Sequence, residues 1–197
     1  MEHVSPRDTV FDVGSHTGYY TLLAAGAVGR HGRVWAFEPD PTNAGFLRRH
    51  VRINDLDNVR VEEAAVTDRE GVACFGGGSG SGTGRLLDSG EISVRTSTLD
   101  GTCQRHDLRP SLIKMDIEGG EYAALCGSNM LMRWVRPVIL LSTHGSAGRE
   151  ACLTLLDELE YYVDPVGASS VTSANEFLCR PTPRRTGPMG VEGDRDE

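Results

Sequence analysis

The run Thr9-Val10-Phe11-Asp12-Val13-Gly14-Ser15-His16-Thr17-Gly18 decides how the rest of the chain is read. Its β-branched and aromatic start predicts a strand, and Gly14 lets the chain turn without a Cβ. Tyr20, Leu22, Leu23, Ala24 and Ala27 then recur at helical spacing. A strand, a glycine turn and a helix in that order open a parallel α/β sheet, where ligands sit at the carboxyl ends of strands. Chemistry is therefore sought just after each strand.

Moving outward, Arg33 to Glu38 is a second strand. Asp40 or Thr42 caps the next helix, whose Phe46, Leu47, Val51 and Ile53 lie at roughly helical spacing. Val59 to Val66 reads as one third strand, with Arg69 to Phe75 as its hairpin partner. Residues 76–84, GGGSGSGTG, break all periodicity and predict a mobile loop. Regular signals return at Thr98 to His106, Ser111 to Asp116, Glu118 to Cys126, Pro137 to Thr143 and Arg149 to Leu159. Tyr161-Tyr162-Val163 and Glu176 to Cys179 form a final strand pair. The expectation is one α/β domain over residues 1–180, its mostly parallel sheet carrying an antiparallel edge strand. A disordered tail is expected over 181–197.

Composition narrows the function classes. Acids outnumber bases 28 to 20, a formal charge of −8, so binding to nucleic acid through a basic surface is not expected. Lys114 is the sole lysine. No apolar run reaches the roughly 20 residues that cross a bilayer, and MEHVSPRDT lacks the features of a secretory leader. The five cysteines are scattered, with no C-x-x-C pair, which argues against a zinc ribbon or a disulfide framework. A cytoplasmic location without membrane partners is expected.

The second strand ends in Glu38-Pro39-Asp40, about twenty residues after the glycine turn. An acid there suits paired hydrogen bonds to the hydroxyls of an adenosine ribose. Dinucleotide sites use G-x-G-x-x-G, whereas this turn reads G-x-x-x-G with Asp12 two positions before the first glycine. An acid beside the turn repels a pyrophosphate but can face a cationic amino group. An adenosine joined to a zwitterionic amino acid fits better, and S-adenosylmethionine is such a ligand. The bland alternative is a tight turn in which Asp12 only caps the helix. A nicotinamide-dependent oxidoreductase and a non-catalytic cofactor-binding module remain the rival functions.

VFDVGSHTGYYT (Val10 to Thr21), WAFEPDP (Trp35 to Pro41), AAVTDREG (Ala64 to Gly71) and above all STLDG…LIKMDIEGGE (Ser97 to Glu121) resemble the FkbM family of class I S-adenosylmethionine-dependent methyltransferases. The resemblance implies a Rossmann-like, seven-stranded sheet with helices on both faces and an antiparallel seventh strand. It implies cofactor contacts by the Asp12, Gly14, Ser15, His16, Thr17 and Gly18 turn, with the methionine end lined by Asp12, Gly14 and Gly18. Glu38 and Pro39 would meet the ribose, Asp40 the adenine edge, and Ala65-Val66 the adenine face. Asp116 would close the site. Family members usually carry a longer segment before the first strand, whereas eight residues precede Thr9 here. An open site, a covering partner subunit in a homo-oligomer and a truncated start are the options. O-methylation of a small molecule such as a natural product or sugar is the implied reaction, with N- or carboxyl-methylation as near alternatives.

Asp116, Glu118, Glu121 and His144 follow strands and are the candidates for catalysis. Glu118 and Glu121, three apart, would share the face of one helix, either complementing its dipole or pointing into an acceptor pocket. His144 has the ordinary pKa of a general base but equally suits a structural role. The same four residues could gather a divalent metal, a reading not favoured because nothing in the sequence makes them converge. His16 either touches the ligand or faces solvent.

Overall fold

The computed structural model describes residues 3–76, 84–87, 89 and 92–183. The chain begins β1 (Thr9–Val13), α1 (Tyr19–Val28), β2 (Arg33–Phe37), α2 (Pro41–Ile53) and β3 (Val59–Glu62). Four strands follow: β4 (Ala65–Val66), β5 (Gly71–Gly76), β6 (Arg85–Leu87) and β7 (Ile92–Ser97). Then come α3 (Leu99–His106), β8 (Leu112–Met115), α4 (Glu121–Cys126), α5 (Asn129–Trp134) and β9 (Val138–Ser142). The described chain closes with α6 (Ser146–Glu158), β10 (Tyr161–Pro165) and β11 (Glu176–Pro181).

The main sheet has seven strands in the order β10-β11-β9-β8-β1-β2-β3. From β9 to β3 every neighbour is parallel. Pleating sends alternate side chains of β1 to opposite faces. Val10 packs with Ala24, Ala25 and Val28 of α1, while Phe11 and Val13 join the larger core that includes Leu125, Met132 and Leu156 from α4, α5 and α6. Helices thus cover both faces. Being buried on both sides explains why β8 is an almost unbroken apolar run, and it makes the one lysine within it conspicuous.

Several expectations are corrected. The antiparallel strand is β11, which pairs with both β9 and β10 and so lies one place in from the edge. The hairpin's second strand, not its first, docks on the parallel set. Val59 to Val66 is two strands in two sheets: the Ala64 N–H bonds back to the Glu62 carbonyl, and that turn ends the ladder with β2. The remaining four strands make a second sheet in the order β4-β7-β5-β6. β5 therefore pairs with β6 and β7, not with the 59–66 segment. The α4 helix starts at Glu121, because Glu118 and Gly119 take left-handed backbone conformations (φ 55° and 103°) that a helix excludes. The short helix α5 had no counterpart in the sequence reading. Strand β11 continues through Pro181, and Thr182 still bonds Glu160, so the expected tail starts too early. The rest of that tail, 184–197, and the glycine-rich centre, 77–83, lie outside the described residues. Among the described residues no helix is long and apolar enough to cross a membrane.

Candidate functional site

At the carboxyl ends of β1, β2 and β8 the chain folds into tight turns that leave a cleft partly open to solvent. The N–H groups of Gly14 and Ser15 both donate to the Phe37 carbonyl, tying the first turn to the end of β2. Gly14 has φ 79°, and a Cβ there would lie 1.9 Å from the Asp116 carbonyl oxygen. Only glycine lets these two backbones meet. Gly18 serves packing in the same way: its Cβ would lie 2.4 Å from Leu47 Cδ1, so its bareness accommodates α2.

Glu38 stands at the wall of this cleft and is 5% exposed. Its Oε2 accepts the His16 N–H at 2.8 Å and its Oε1 accepts the Asp40 N–H at 3.0 Å. Burial raises its pKa, and these two backbone bonds, the Asn43 side chain and His16 offset only part of that rise. With the Asn43 side chain as a third donor, the carboxylate keeps one of its roughly four acceptor sites. The group is thus held in one orientation on the cleft wall.

Gly14, His16, Glu38, Pro39, Ala65, Val66, Asp116 and Glu118 line the cleft. The catalytic candidates Glu121 and His144 and five cofactor candidates are not among the lining residues. Asp12 is 1% exposed beneath the turn, where its Oδ2 accepts the Thr21 hydroxyl at 2.5 Å and its Oδ1 lies 3.5 Å from Lys114 Nζ. Ser15 bonds the Asp12 carbonyl. Thr17 contributes its carbonyl to His50. Gly18 packs as described. Asp40 caps α2, accepting N–H groups from Thr42 and Asn43, so its carboxylate is committed to the helix. The sequence reading also missed lining residues. Ile117 follows β8, and Phe75, Arg85 and Leu86 arrive from the second sheet.

The four catalytic candidates do converge, through a turn and not along one helix face. His144, just after β9, lies with Nδ1 2.9 Å from Glu121 Oε1 and Nε2 3.6 Å from both Asp116 Oδ1 and Glu118 Oε2. Glu121 is 1% exposed, and the same Oε1 also accepts the N–H groups of Ile117 and Gly119. It braces the turn and the imidazole instead of facing the cleft. A carboxylate oxygen can only accept, so Nδ1 carries the proton and Nε2 keeps its lone pair in neutral His144. Burial lowers the His144 pKa, but the Glu121 bond and the charges of Glu121, Glu118 and Asp116 outweigh it, leaving the pKa raised. Asp116, Glu118 and His144 also each offer a ligand atom, all within 4.8 Å of one another, a spacing that could hold a cation.

The chain is 30% identical over 116 residues to the 2-O-methyltransferase NoeI of Sinorhizobium fredii, covering 48% of this chain and 47% of NoeI. It is 23% identical over 167 residues to the hexuronic acid methyltransferase AglP of Haloferax volcanii, covering 80% of this chain and 65% of AglP. The chain thus spans less than two thirds of either relative. The crystal structure of methyltransferase FkbM from Methylobacillus flagellatus KT superposes with a TM-score of 0.63 at 19% identity, covering 89% of this chain and 43% of that one. A model of the methyltransferase FkbM domain matches residues 12–166, which is most of the chain. The chain belongs to the FkbM methyltransferase domain family.

Proposed function

We propose that this protein is an S-adenosylmethionine-dependent O-methyltransferase whose acceptor is a hydroxyl of a small molecule, a sugar or a related natural product. The observation that carries the proposal is Glu38: a buried carboxylate held by two backbone N–H groups on a cleft wall, one turn away from the Gly14 backbone. That arrangement fits the ribose of an adenosyl group. Ala65, Val66 and Ile117 supply an apolar wall for a flat base on the same cleft. The cofactor supplies a methyl group on a sulfonium, already a good leaving group. What the chain must add is alignment, worth roughly 7–11 kcal/mol in favourable cases, together with removal of the acceptor proton.

His144 is suited to that proton. Its Nε2 lone pair points toward Asp116 and Glu118, both on the cleft, while Glu121 fixes the ring from behind. Asp116 and Glu118 then stabilise the imidazolium that forms. The relatives' names, a 2-O-methyltransferase and a hexuronic acid methyltransferase, support a carbohydrate hydroxyl as the acceptor class.

The test is release of S-adenosylhomocysteine on incubation with S-adenosylmethionine and a panel of glycosides, uronic acids and polyhydroxylated natural products. A methyl ether among the products supports the proposal. Methyl esters or N-methyl products alone, or no turnover over the whole panel, would count against it.

A further inference from the structure

The start of α1 leaves three large apolar side chains in solvent: Tyr19, Tyr20 and Leu23 are 70%, 44% and 47% exposed. Apolar residues exposed singly need no explanation, but a contiguous group beside a site does. Residues 19 and 23 are four apart and share one helix face. The Tyr20 ring is nonetheless held in place. Lys114 Nζ lies 5.4 Å from its centroid, and the Tyr19 ring meets it at 87° with centroids 5.2 Å apart. A cation over the ring and a second ring set edge to face both favour one orientation.

The register of the sheet brings this aromatic corner to the side of the proposed base. Val10, Leu112 and Val138 all pack with α1. Alternation along β8 and β9 then turns Lys114, Leu140 and Ser142 to the same face, and Glu176 of β11 pairs with Ser142. The Tyr20 hydroxyl lies among the acids at that end. Partial burial, and then the charges of Glu176, Tyr19, Asp116 and Asp12, raise its pKa. Asp116 is in turn 3.6 Å from His144 Nε2. Two aromatic rings, the exposed Glu176 and the base thus border one open surface.

A sugar ring has a face of C–H groups and a rim of hydroxyls. The C–H face packs against an aromatic ring, whereas the hydroxyls need acceptors such as a carboxylate. Stacking therefore places the ring as well as holding it, because it sets which hydroxyl looks sideways. We propose that Tyr20, with Tyr19, is the acceptor platform: a sugar ring stacks there, Glu176 accepts one of its hydroxyls, and the reacting hydroxyl is left facing His144 Nε2. The class of acceptor this selects is a cyclic sugar with an unsubstituted C–H face. This inference rests on the sugar O-methylation proposed above.

The test combines steady-state kinetics on methyl hexopyranosides with calorimetry of S-adenosylhomocysteine. Tyr20→Leu keeps an apolar cover over Lys114 but removes the aromatic face. It is expected to raise the acceptor KM at least tenfold, with kcat within threefold and S-adenosylhomocysteine affinity within twofold of wild type. Tyr20→Phe, which keeps the face, should hold KM within threefold. An unchanged KM in Tyr20→Leu, an equal loss in Tyr20→Phe, or a parallel loss of S-adenosylhomocysteine affinity would each overturn the proposal. Where Tyr20→Leu does not fold, Tyr19→Ala, at a position 70% exposed, should raise KM at least threefold with cofactor affinity unchanged. An unchanged KM there contradicts the platform. Wild type that binds S-adenosylhomocysteine but methylates no hexopyranoside would instead refute the acceptor class proposed above, and the platform with it.

Discussion

The Nδ1 atom of His144 lies 2.9 Å from Oε1 of Glu121, an oxygen that also receives the N–H groups of Ile117 and Gly119. One buried carboxylate thus couples the turn after β8 to the histidine after β9. Two loops that are distant in sequence are set in one geometry, and the face of the imidazole that remains available is fixed.

This coupling predicts the pH dependence of turnover. The His144 pKa is raised above its ordinary 6.5, and the base form exists only above it. kcat/KM should therefore rise with pH through the raised value and level off beyond it. Glu121→Gln removes the largest raising influence, so the inflection should move down in pH. His144→Ala should lower turnover by roughly 100- to 10,000-fold, the usual range for loss of a general base. A flat pH profile or full activity in His144→Ala would exclude His144 as the base.

The same shift has a stability consequence of definite sign. A histidine whose pKa is higher in the folded state binds its proton more tightly there. Its stabilisation is complete below the unfolded value of about 6.5 and is lost as pH rises through the folded value. The melting-temperature advantage of wild type over His144→Ala should therefore shrink between pH 5.5 and pH 8.5. An advantage that grows with pH would reverse the sign and contradict the arrangement of charges.

Glycine substitutions should divide by what lies opposite the missing Cβ. Gly14→Ala places a carbon 1.9 Å from a backbone oxygen at φ 79°, and neither partner can yield. The variant should lose the folded state or most of its stability. Gly45→Ala, in α2, meets nothing within 4 Å and should stabilise by about 0.8–1 kcal/mol through helix propensity alone. Thermal melts of the two variants test both expectations, and a neutral Gly14→Ala would show that the turn is not held as described.

Turnover should persist after chelation. Asp116 and Glu118 each stand 3.6 Å from His144 Nε2, where they stabilise the imidazolium formed as the ring takes the acceptor proton. Activity in EDTA equal to the untreated enzyme is expected. Loss of activity that Mg2+ restores would reassign Asp116, Glu118 and His144 as ligands.

Much of this layout is legible in the residues, because local period and spacing carry it. β1, β2 and Glu38 emerge from alternation and from the distance between a glycine turn and the next strand end. What is not legible depends on contacts remote in sequence. β4 and β7 pair across the whole β5–β6 hairpin, so nothing local in Ala65-Val66 shows that they leave the main sheet or that Arg85 reaches the cleft. Glu118 and Glu121 look like neighbours on a helix, yet Glu118 and Gly119 take left-handed conformations and the two acids reach His144 from different directions. Lys114 is visible as a charge inside a buried strand, but its partner Asp12 appears only in the register of β1 against β8. Asp12 itself reads as a ligand contact until its burial beneath the turn is known.

Calorimetric titration with S-adenosylhomocysteine decides whether the Glu38 cleft holds an adenosyl cofactor. Wild type should bind one equivalent. Folded Glu38→Ala should bind at least tenfold more weakly, a loss of about 1.4 kcal/mol. The loss should be mirrored in wild type as pH falls through the raised Glu38 pKa. Equal affinity in wild type and Glu38→Ala would contradict it.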